Sequence, residues 1–239
     1  MDVRLRRDRL KPSLFAIAAG TLAVMAVMLT PVPSHAVPEV DFGIVAPTTG
    51  TISYNGLGGP LVGSNISVDV LVGLSTSLND GVMVSCLGCM LNFMTGPVTT
   101  TTSTSWEFGG GVDSYITIVG GLDFPDATPD IPTGTLLLSG GFGTAKVLKF
   151  GSTFKIAGGS FMDDKHPAIV EFYGFDPLAS FVGGFNISFN AAGSPPGTFT
   201  STNLYSGDVD NQQQPVPEPS TMLLLGSGLA GLAWWRRKG

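Results

Sequence analysis

The sequence predicts an all-β fold, an antiparallel β-sandwich of short strands rich in Gly and Thr. Apolar and polar residues alternate over short stretches, and that period is typical of strands with one buried face. Turn-forming residues separate these stretches, and the chain has 33 glycines and 17 prolines. Between residues 37 and 215 no stretch keeps a helical period over ten or more residues. Many short strands joined by turns favour two packed antiparallel sheets.

A β-solenoid is the alternative architecture. Gly-Gly-Phe occurs at residues 140–142 and again at residues 183–185. A solenoid repeats at a fixed period, and two copies do not define one. The sandwich is therefore the leading prediction.

Residues 1–36 have the pattern of a secretory signal peptide. Basic residues fill much of the first eleven positions, and an apolar run follows from Leu14 to Leu29. Ser34 and Ala36 then occupy the small-residue positions that a signal peptidase reads. We expect cleavage after Ala36 and a mature chain that begins near Val37. An uncleaved signal anchor is the alternative, because the apolar run is long for a signal peptide.

Residues 37–205 are expected to form the β-domain. Residues 65–70 show the alternation clearly, and Asn55-Gly56 and Asn79-Asp80-Gly81 are turn signals. The Thr-rich run at residues 99–104 fits either an edge strand or an exposed loop. The predicted strands are 51–54, 65–72, 82–84, 114–119, 135–138, 145–150, 153–157, 168–173, 185–189 and 198–204.

Residues 206–215 are predicted to be a flexible linker. The segment reads S-G-D-V-D-N-Q-Q-Q-P and contains no large apolar side chain. Polar, proline-containing segments of this kind connect folded units to reachable tails.

The tail, residues 216–239, has three parts in a fixed order. Pro217, Glu218 and Pro219 form a rigid break, since each proline fixes its own φ and biases the residue before it toward extended geometry. No residue from Pro219 to Trp235 is charged. As a helix with a rise of about 1.5 Å per residue, this stretch reaches roughly 25 Å, the short end of what crosses a bilayer. We predict a transmembrane helix at residues 220–235.

A basic cluster follows the apolar stretch. Arg236, Arg237 and Lys238 would hold this end on the cytoplasmic side, with Trp234 and Trp235 at the headgroups. A buried soluble helix is the alternative, but such a helix is seldom apolar all round and closed by three cations.

The order of these three parts resembles the PEP-CTERM sorting signal of exported proteins in Gram-negative bacteria. The resemblance is carried by Pro217-Glu218-Pro219, the apolar run and Arg236-Arg237-Lys238, and it covers the tail alone. It implies recognition by an exosortase, a membrane enzyme that cuts near the motif during surface sorting in species that make exopolysaccharide. The motif residues would then be recognition residues of a substrate.

The segment between the two ends is acidic. Residues 37–217 contain fifteen acidic and four basic side chains, a net charge of −11. Such a surface repels polyanions, so we expect no nucleic-acid partner. It attracts divalent cations or basic partners instead.

Cys86 and Cys89 are the cysteines of the chain, and we expect a disulfide between them in an oxidising compartment. A redox role needs a helix N-terminus that lowers the pKa of a thiol, and the residues after Cys89 do not indicate one. Zinc needs two more ligands at matching spacing, which the sequence lacks.

Other candidate groups point to no defined chemistry. His166 lies in a segment that looks like a polar loop, and no Gly-x-Ser-x-Gly motif accompanies it. Calcium is the one cofactor left open, because two acidic segments offer oxygen ligands. Their carboxylates are Asp123, Asp126 and Asp130 in the first segment and Asp208 and Asp210 in the second.

An aromatic platform for sugar rings is a further possibility at residues 106–115, from Trp106, Phe108 and Tyr115 beside Glu107. Such aromatic residues are more often part of a core.

These patterns lead to one expectation and one alternative. We expect a non-catalytic protein of the cell surface or extracellular matrix, sorted through its tail and linked to exopolysaccharide and biofilm. The alternative is a polysaccharide-binding module or a glycan-active enzyme.

Overall fold

Ten β-strands, with a short α-helix between the eighth and the ninth, make up the part of the chain that the structure describes as a sheet. A computed structural model describes residues 36–125, 130–214 and 227–228. The elements belong to the second of two units into which the chain divides, Val37–Gly239. They are β1 (Glu39–Ile44), β2 (Thr51–Tyr54), β3 (Pro60–Leu74), β4 (Met83–Thr101), β5 (Ser105–Gly109), β6 (Tyr115–Asp123), β7 (Ile131–Phe150), β8 (Thr153–Lys165), α1 (Pro167–Tyr173), β9 (Phe181–Ala192) and β10 (Phe199–Gln213).

The strands form one antiparallel sheet that closes on itself. Hydrogen-bonded neighbours lead from β1 through β3, β4, β6, β7, β8, β9 and β10 back to β1. β2 lies between β10 and β3, and β5 lies between β4 and β7. Each described strand therefore has a hydrogen-bonded neighbour on both sides.

The predicted all-β, antiparallel fold class is confirmed. The strands form one closed sheet and not the two packed sheets of a sandwich, and the β-solenoid is not the architecture either. Several strands are longer than predicted, because bulges carry the chain through glycines that resemble turns in the sequence. β7 is 20 residues long and contains both predicted strands of that region. Its register shifts at Phe142/Thr144 and Thr144/Val147. A bulge inserts an extra residue without ending the strand.

Aromatic side chains fill the interior of the closed sheet. The rings of Phe93 on β4 and Phe185 on β9 lie 5.0 Å apart between centroids, although these strands are not neighbours. Trp106 contacts Phe199 at 4.8 Å in an edge-on arrangement. These contacts join opposite sides of the sheet, and such aromatic pairs stabilise beyond the area that they bury.

Glycines make room for several of these rings. Gly63 is paired across strands with Phe93, Gly159 with Phe185, and Gly183 with Phe161. A Cβ atom built on any of the three glycines would clash with the ring of its partner. The second Gly-Gly-Phe segment therefore reflects close packing between adjacent strands and not a solenoid repeat.

The predicted strand at residues 168–173 is wrong, because this segment is helix α1. Pro167 occupies the first turn, where its missing N–H costs nothing. His166 caps the N-terminus, since its Nδ1 accepts a hydrogen bond from the Ala168 N–H at 3.3 Å. Gly174 ends the helix with a left-handed φ of 70°.

Tyr173 attaches the helix to the sheet. Its hydroxyl donates a hydrogen bond to the Val82 carbonyl oxygen at 2.9 Å.

The predicted linker at residues 206–215 is also wrong over most of its length. Residues 206–213 belong to β10, which pairs with β9 on one side and β1 on the other. Val209 and Asn211 point into the interior and are fully buried. The β-domain therefore extends to Gln213 and does not end at residue 205.

Most of the two predicted sorting segments lies outside the described residues. This applies to residues 1–35 of the signal peptide and to the tail and its transmembrane helix, apart from residues 227–228. Within the described parts of the chain, no helix has the length and apolar character needed to cross a membrane.

Candidate functional site

The first and last strands bring the two ends of the β-domain together. The Gln213 N–H donates a hydrogen bond to the Pro38 carbonyl oxygen at 2.9 Å, and Glu39 is the register partner of Gln212. The Gln214 N–H then bonds the Ser180 carbonyl oxygen at 2.9 Å. The chain therefore enters β1 and leaves β10 at the same place on the sheet, which we call the exit end.

The residues that follow this exit match a known sorting motif. A family model described as the PEP-CTERM protein-sorting motif matches residues 215–238. The chain carries a PEP-CTERM sorting motif. No curated protein and no solved structure gave a significant match to the chain.

The PEP-CTERM motif marks the chain as an exported protein that an exosortase recognises. The match begins one residue after Gln214, the last described residue of the sheet exit. Its predicted recognition residues lie outside the described residues: Pro217, Glu218, Pro219, Arg236, Arg237 and Lys238. Ala36, the predicted signal-peptide cleavage residue, is described and exposed.

A buried ion pair lies inside the sheet near the exit end. The Lys165 Nζ is 2.6 Å from the Asp163 Oδ2, and both side chains are fully buried. The same ammonium lies 3.7 Å from the centre of the Phe181 ring. Burial raises the pKa of Asp163 and lowers the pKa of Lys165 to about 8, while the attraction within the pair opposes both shifts.

The sequence reasoning missed this pair by treating residues 162–167 as a polar loop. Residues 162–165 are the last residues of β8. The missed signal is the alternation of Phe161, Asp163 and Lys165, which continues the inward-facing series of the strand.

A cavity of about 770 Å³ lies between α1 and the segment that follows β3. Leu78, Val170 and Phe175 form apolar parts of its wall, and Lys165 borders it. The Lys165 ammonium is fully buried and already bound to Asp163, so it presents no charge to the cavity. The cavity therefore offers mainly apolar surface, with the Glu171 carboxylate at its wall.

Carboxylates cluster on the outer face of β1 and β10. Asp41 is the register partner of Asp210, and Glu39 and Asp208 lie beside them. The pKa of Asp41 is raised to about 7 and that of Asp210 to about 6. Burial is the main cause of both shifts, and repulsion from the neighbouring carboxylates adds to it. Asp208 accepts a hydrogen bond from the Asn186 Nδ2 at 3.1 Å.

The acidic segments proposed for calcium show local hydrogen bonding. The Asp130 Oδ1 accepts a hydrogen bond from the Phe124 N–H at 3.0 Å, and Asp123 is exposed at the end of β6. Asp126 lies outside the described residues. Over the described ranges, no group of three His, Cys, Asp or Glu side chains is placed to hold a metal ion.

Cys86 and Cys89 are joined by a disulfide within β4, as predicted. Cys89 is buried, and its partner lies beside the core. The pair is part of a strand and does not precede a helix, so it lacks the helix N-terminus that lowers thiol pKa values in redox proteins.

The predicted aromatic platform does not form. Trp106 and Phe108 are buried in the core, and the Trp106 Nε1 donates to the Gly197 carbonyl oxygen at 3.2 Å. Glu107 forms an ion pair with Lys146 at 2.7 Å. Of the four residues, Tyr115 keeps an exposed aromatic side chain, with 40% of its surface accessible.

Proposed function

We propose that the protein is a non-catalytic component of the cell surface or extracellular matrix of a Gram-negative bacterium. A signal peptidase removes residues 1–36, the tail holds the chain transiently in the inner membrane, and an exosortase then processes it. The β-domain contributes structure or adhesion in an exopolysaccharide-containing biofilm.

The observation that carries this proposal is the position of the two sorting segments relative to the sheet. β1 begins at Glu39 and β10 ends at Gln213, so both segments lie outside the paired strands. Removing either segment breaks no strand pair among the described residues. A closed sheet of this kind is suited to remain folded through both cleavages.

The absence of a catalytic role is supported by what the candidate groups already do. His166 caps α1, Asp130 holds a turn, and Glu107 is paired with Lys146. A general base or a nucleophile has to be free to reach a substrate. These side chains instead stabilise the fold that carries the sorting motif.

The position of the motif also limits where an exosortase cuts. The Gln214 N–H is hydrogen-bonded to the Ser180 carbonyl oxygen. The three residues from 215 to 217 can span roughly 10 Å when the chain is fully extended. The active site of the enzyme therefore has to approach the exit end closely to cut near Pro217. We expect the cut after Gln214, where no strand pair has to open.

Intact mass of the protein from its native host tests the proposal. Envelope and medium fractions are separated, and both termini are determined by mass spectrometry. We expect a chain that begins near Val37 and ends between Gln214 and the region just after Pro219. A chain that retains residues 236–239 would show a permanent membrane anchor, and an end inside β10 would contradict cleavage beside an intact sheet.

A further inference from the structure

Two bulges in β10 turn a short polar segment toward solvent. The pairing of β10 with β9 shifts between Ser201 and Asn203 and again between Leu204 and Gly207. In a regular strand successive side chains point to opposite faces. The bulges break that alternation, so Thr202, Asn203, Tyr205 and Ser206 are all exposed while Leu204 remains buried.

The segment after β1 lies against these bulges and closes a cleft. Thr48 forms an isolated bridge with Leu204, and Pro47 and Thr48 line the cleft opposite Asn203 and Tyr205. The cleft has a volume of about 370 Å³, and none of the residues that line it carries a charge. Its volume lies at the small end of the range for ligand sites, about 300–1,000 Å³. We call it the Tyr205 cleft.

The aromatic ring of this cleft is exposed and also held in place. Tyr205 keeps 38% of its surface accessible, and its hydroxyl accepts a hydrogen bond from the Asn190 Nδ2 at 2.6 Å. Asn190 belongs to β9 and is the register partner of Asn203. The ring is therefore presented by two paired strands and needs little ordering when a ligand stacks on it.

The polar groups around the ring are neutral and can both donate and accept hydrogen bonds. No hydrogen bond joins the Asn203 side chain to another described residue, and its amide has one acceptor and two donors. The Thr48 and Thr202 hydroxyls donate to the Ser67 and Asn190 carbonyl oxygens at 3.2 and 3.3 Å, and each hydroxyl oxygen still has lone pairs.

We propose that the Tyr205 cleft binds a short stretch of a neutral glycan. A pyranose ring has an apolar face that fits an aromatic ring and an edge of hydroxyl groups that fits amide and threonine partners. An anionic ligand finds no cation in the cleft, and the net charge of −11 on residues 37–217 repels it further. This inference rests on the proposed adhesive role and names the ligand class of that role.

Calorimetry with defined oligosaccharides tests the cleft. The full-length chain is purified in a detergent without a sugar headgroup and titrated with cellohexaose, maltohexaose and N-acetylchitohexaose, with an oligoalginate as the anionic probe. We expect saturable binding of at least one neutral hexasaccharide and none of the alginate. High salt should leave the affinity unchanged, since no charge takes part.

Three variants locate the binding. Tyr205→Ala should weaken it at least tenfold, and Tyr205→Phe should keep it within about threefold, because the stacking face is retained. Tyr115→Ala removes an equally exposed ring outside the cleft and should have no effect. Thermal unfolding of each variant shows that the fold is intact.

Saturable binding to none of the neutral probes, stronger binding of alginate, or full binding by Tyr205→Ala would each overturn the inference. The sorting proposal is tested separately, by determining the N- and C-termini of the same variants when they are expressed in the native host. If Tyr205→Ala is processed normally and is retained in the matrix like the unaltered chain, the Tyr205 cleft is not what holds the protein there. The proposed function would still stand.

Discussion

At the scale of single residues, the interior depends on glycines that lie beneath aromatic rings. Gly183 faces inward beside Phe161, whereas the next residue, Gly184, faces outward. The ring takes the space that a side chain would need on the neighbouring strand. Gly is thus a packing residue at this position and not a turn signal.

Gly183→Ala should therefore destabilise the protein, because the added methyl group forces the Phe161 ring to move. We expect a loss of about 1–3 kcal/mol in the free energy of unfolding, the usual cost of overpacking. Urea unfolding followed by circular dichroism measures it.

Gly184→Ala is the matched control. Its Cβ would lie 3.4 Å from the nearest atom, which is ordinary contact, so the effect should stay within about 0.5 kcal/mol. Equal losses in the two variants would show that backbone freedom, and not ring packing, is what Gly183 provides.

The sequence could not reveal these glycine–phenylalanine pairs. Gly183 and Phe161 are 22 positions apart, and their pairing is set by the register of two strands. The isolated pattern Gly-Gly-Phe looked like a repeat because only the spacing along the chain is visible in a sequence. For the same reason the sequence did not decide whether Trp106 and Phe108 form an exposed platform or belong to the core, since their exposure depends on the closure of the sheet.

At the scale of elements, β10 departs most from the sequence prediction. Residues 206–213 contain two aspartates, one asparagine and two glutamines, a composition that favours a linker. The backbone of these residues is hydrogen-bonded to β9, the preceding strand, and to β1, which lies far away along the chain. Tertiary pairing has overridden local propensity here. Pro167 and Gly174 are start and stop signals of α1 in the sequence, but residues 168–173 were predicted to be a strand.

The β1–β10 pair should make stability depend on pH. The pKa of Asp41 is about 7 and that of Asp210 about 6 in the folded protein, both above the ordinary value of 3.8. The folded state therefore holds protons that the unfolded chain has already released, so stability falls as pH rises from about 4 to about 7. Glu39 and Asp208 on these strands add to the repulsion. Melting temperatures from pH 5 to 8 should decrease accordingly.

Asp41→Asn should raise the melting temperature at pH 8 and flatten this dependence. An amide cannot ionise, so the cost of a partly buried charge disappears. Asp113→Asn removes an exposed carboxylate elsewhere and should leave the slope unchanged. Asp210 still titrates in Asp41→Asn and should leave a smaller slope, so a slope as steep as that of the unaltered chain would assign the effect to other groups.

At the scale of the whole molecule, closure of the sheet defines the domain boundary. A fragment of residues 37–205 lacks the last eight residues of β10 and leaves parts of β1 and β9 unpaired. It also loses Val209 from the core. We expect residues 37–214 to unfold cooperatively on heating and residues 37–205 to be insoluble or to show no cooperative transition. Cooperative unfolding of the shorter fragment would show that the end of β10 is dispensable.

Composition and alternation were enough to predict the fold class, since they report which faces are buried. They do not report which strands are neighbours, and that information decides the boundary, the exit end and the Tyr205 cleft. The sorting motif could be recognised from the sequence because its three parts are adjacent along the chain.

The bulged segment and the exit end belong to the same strand. Tyr205 and Gln214 are nine residues apart, roughly 30 Å of extended chain. While the chain is still held by its tail, a pull on a glycan in the Tyr205 cleft would act on the tail mainly through the nine residues of β10 between these two points. The strand pairs elsewhere in the sheet would carry little of that load.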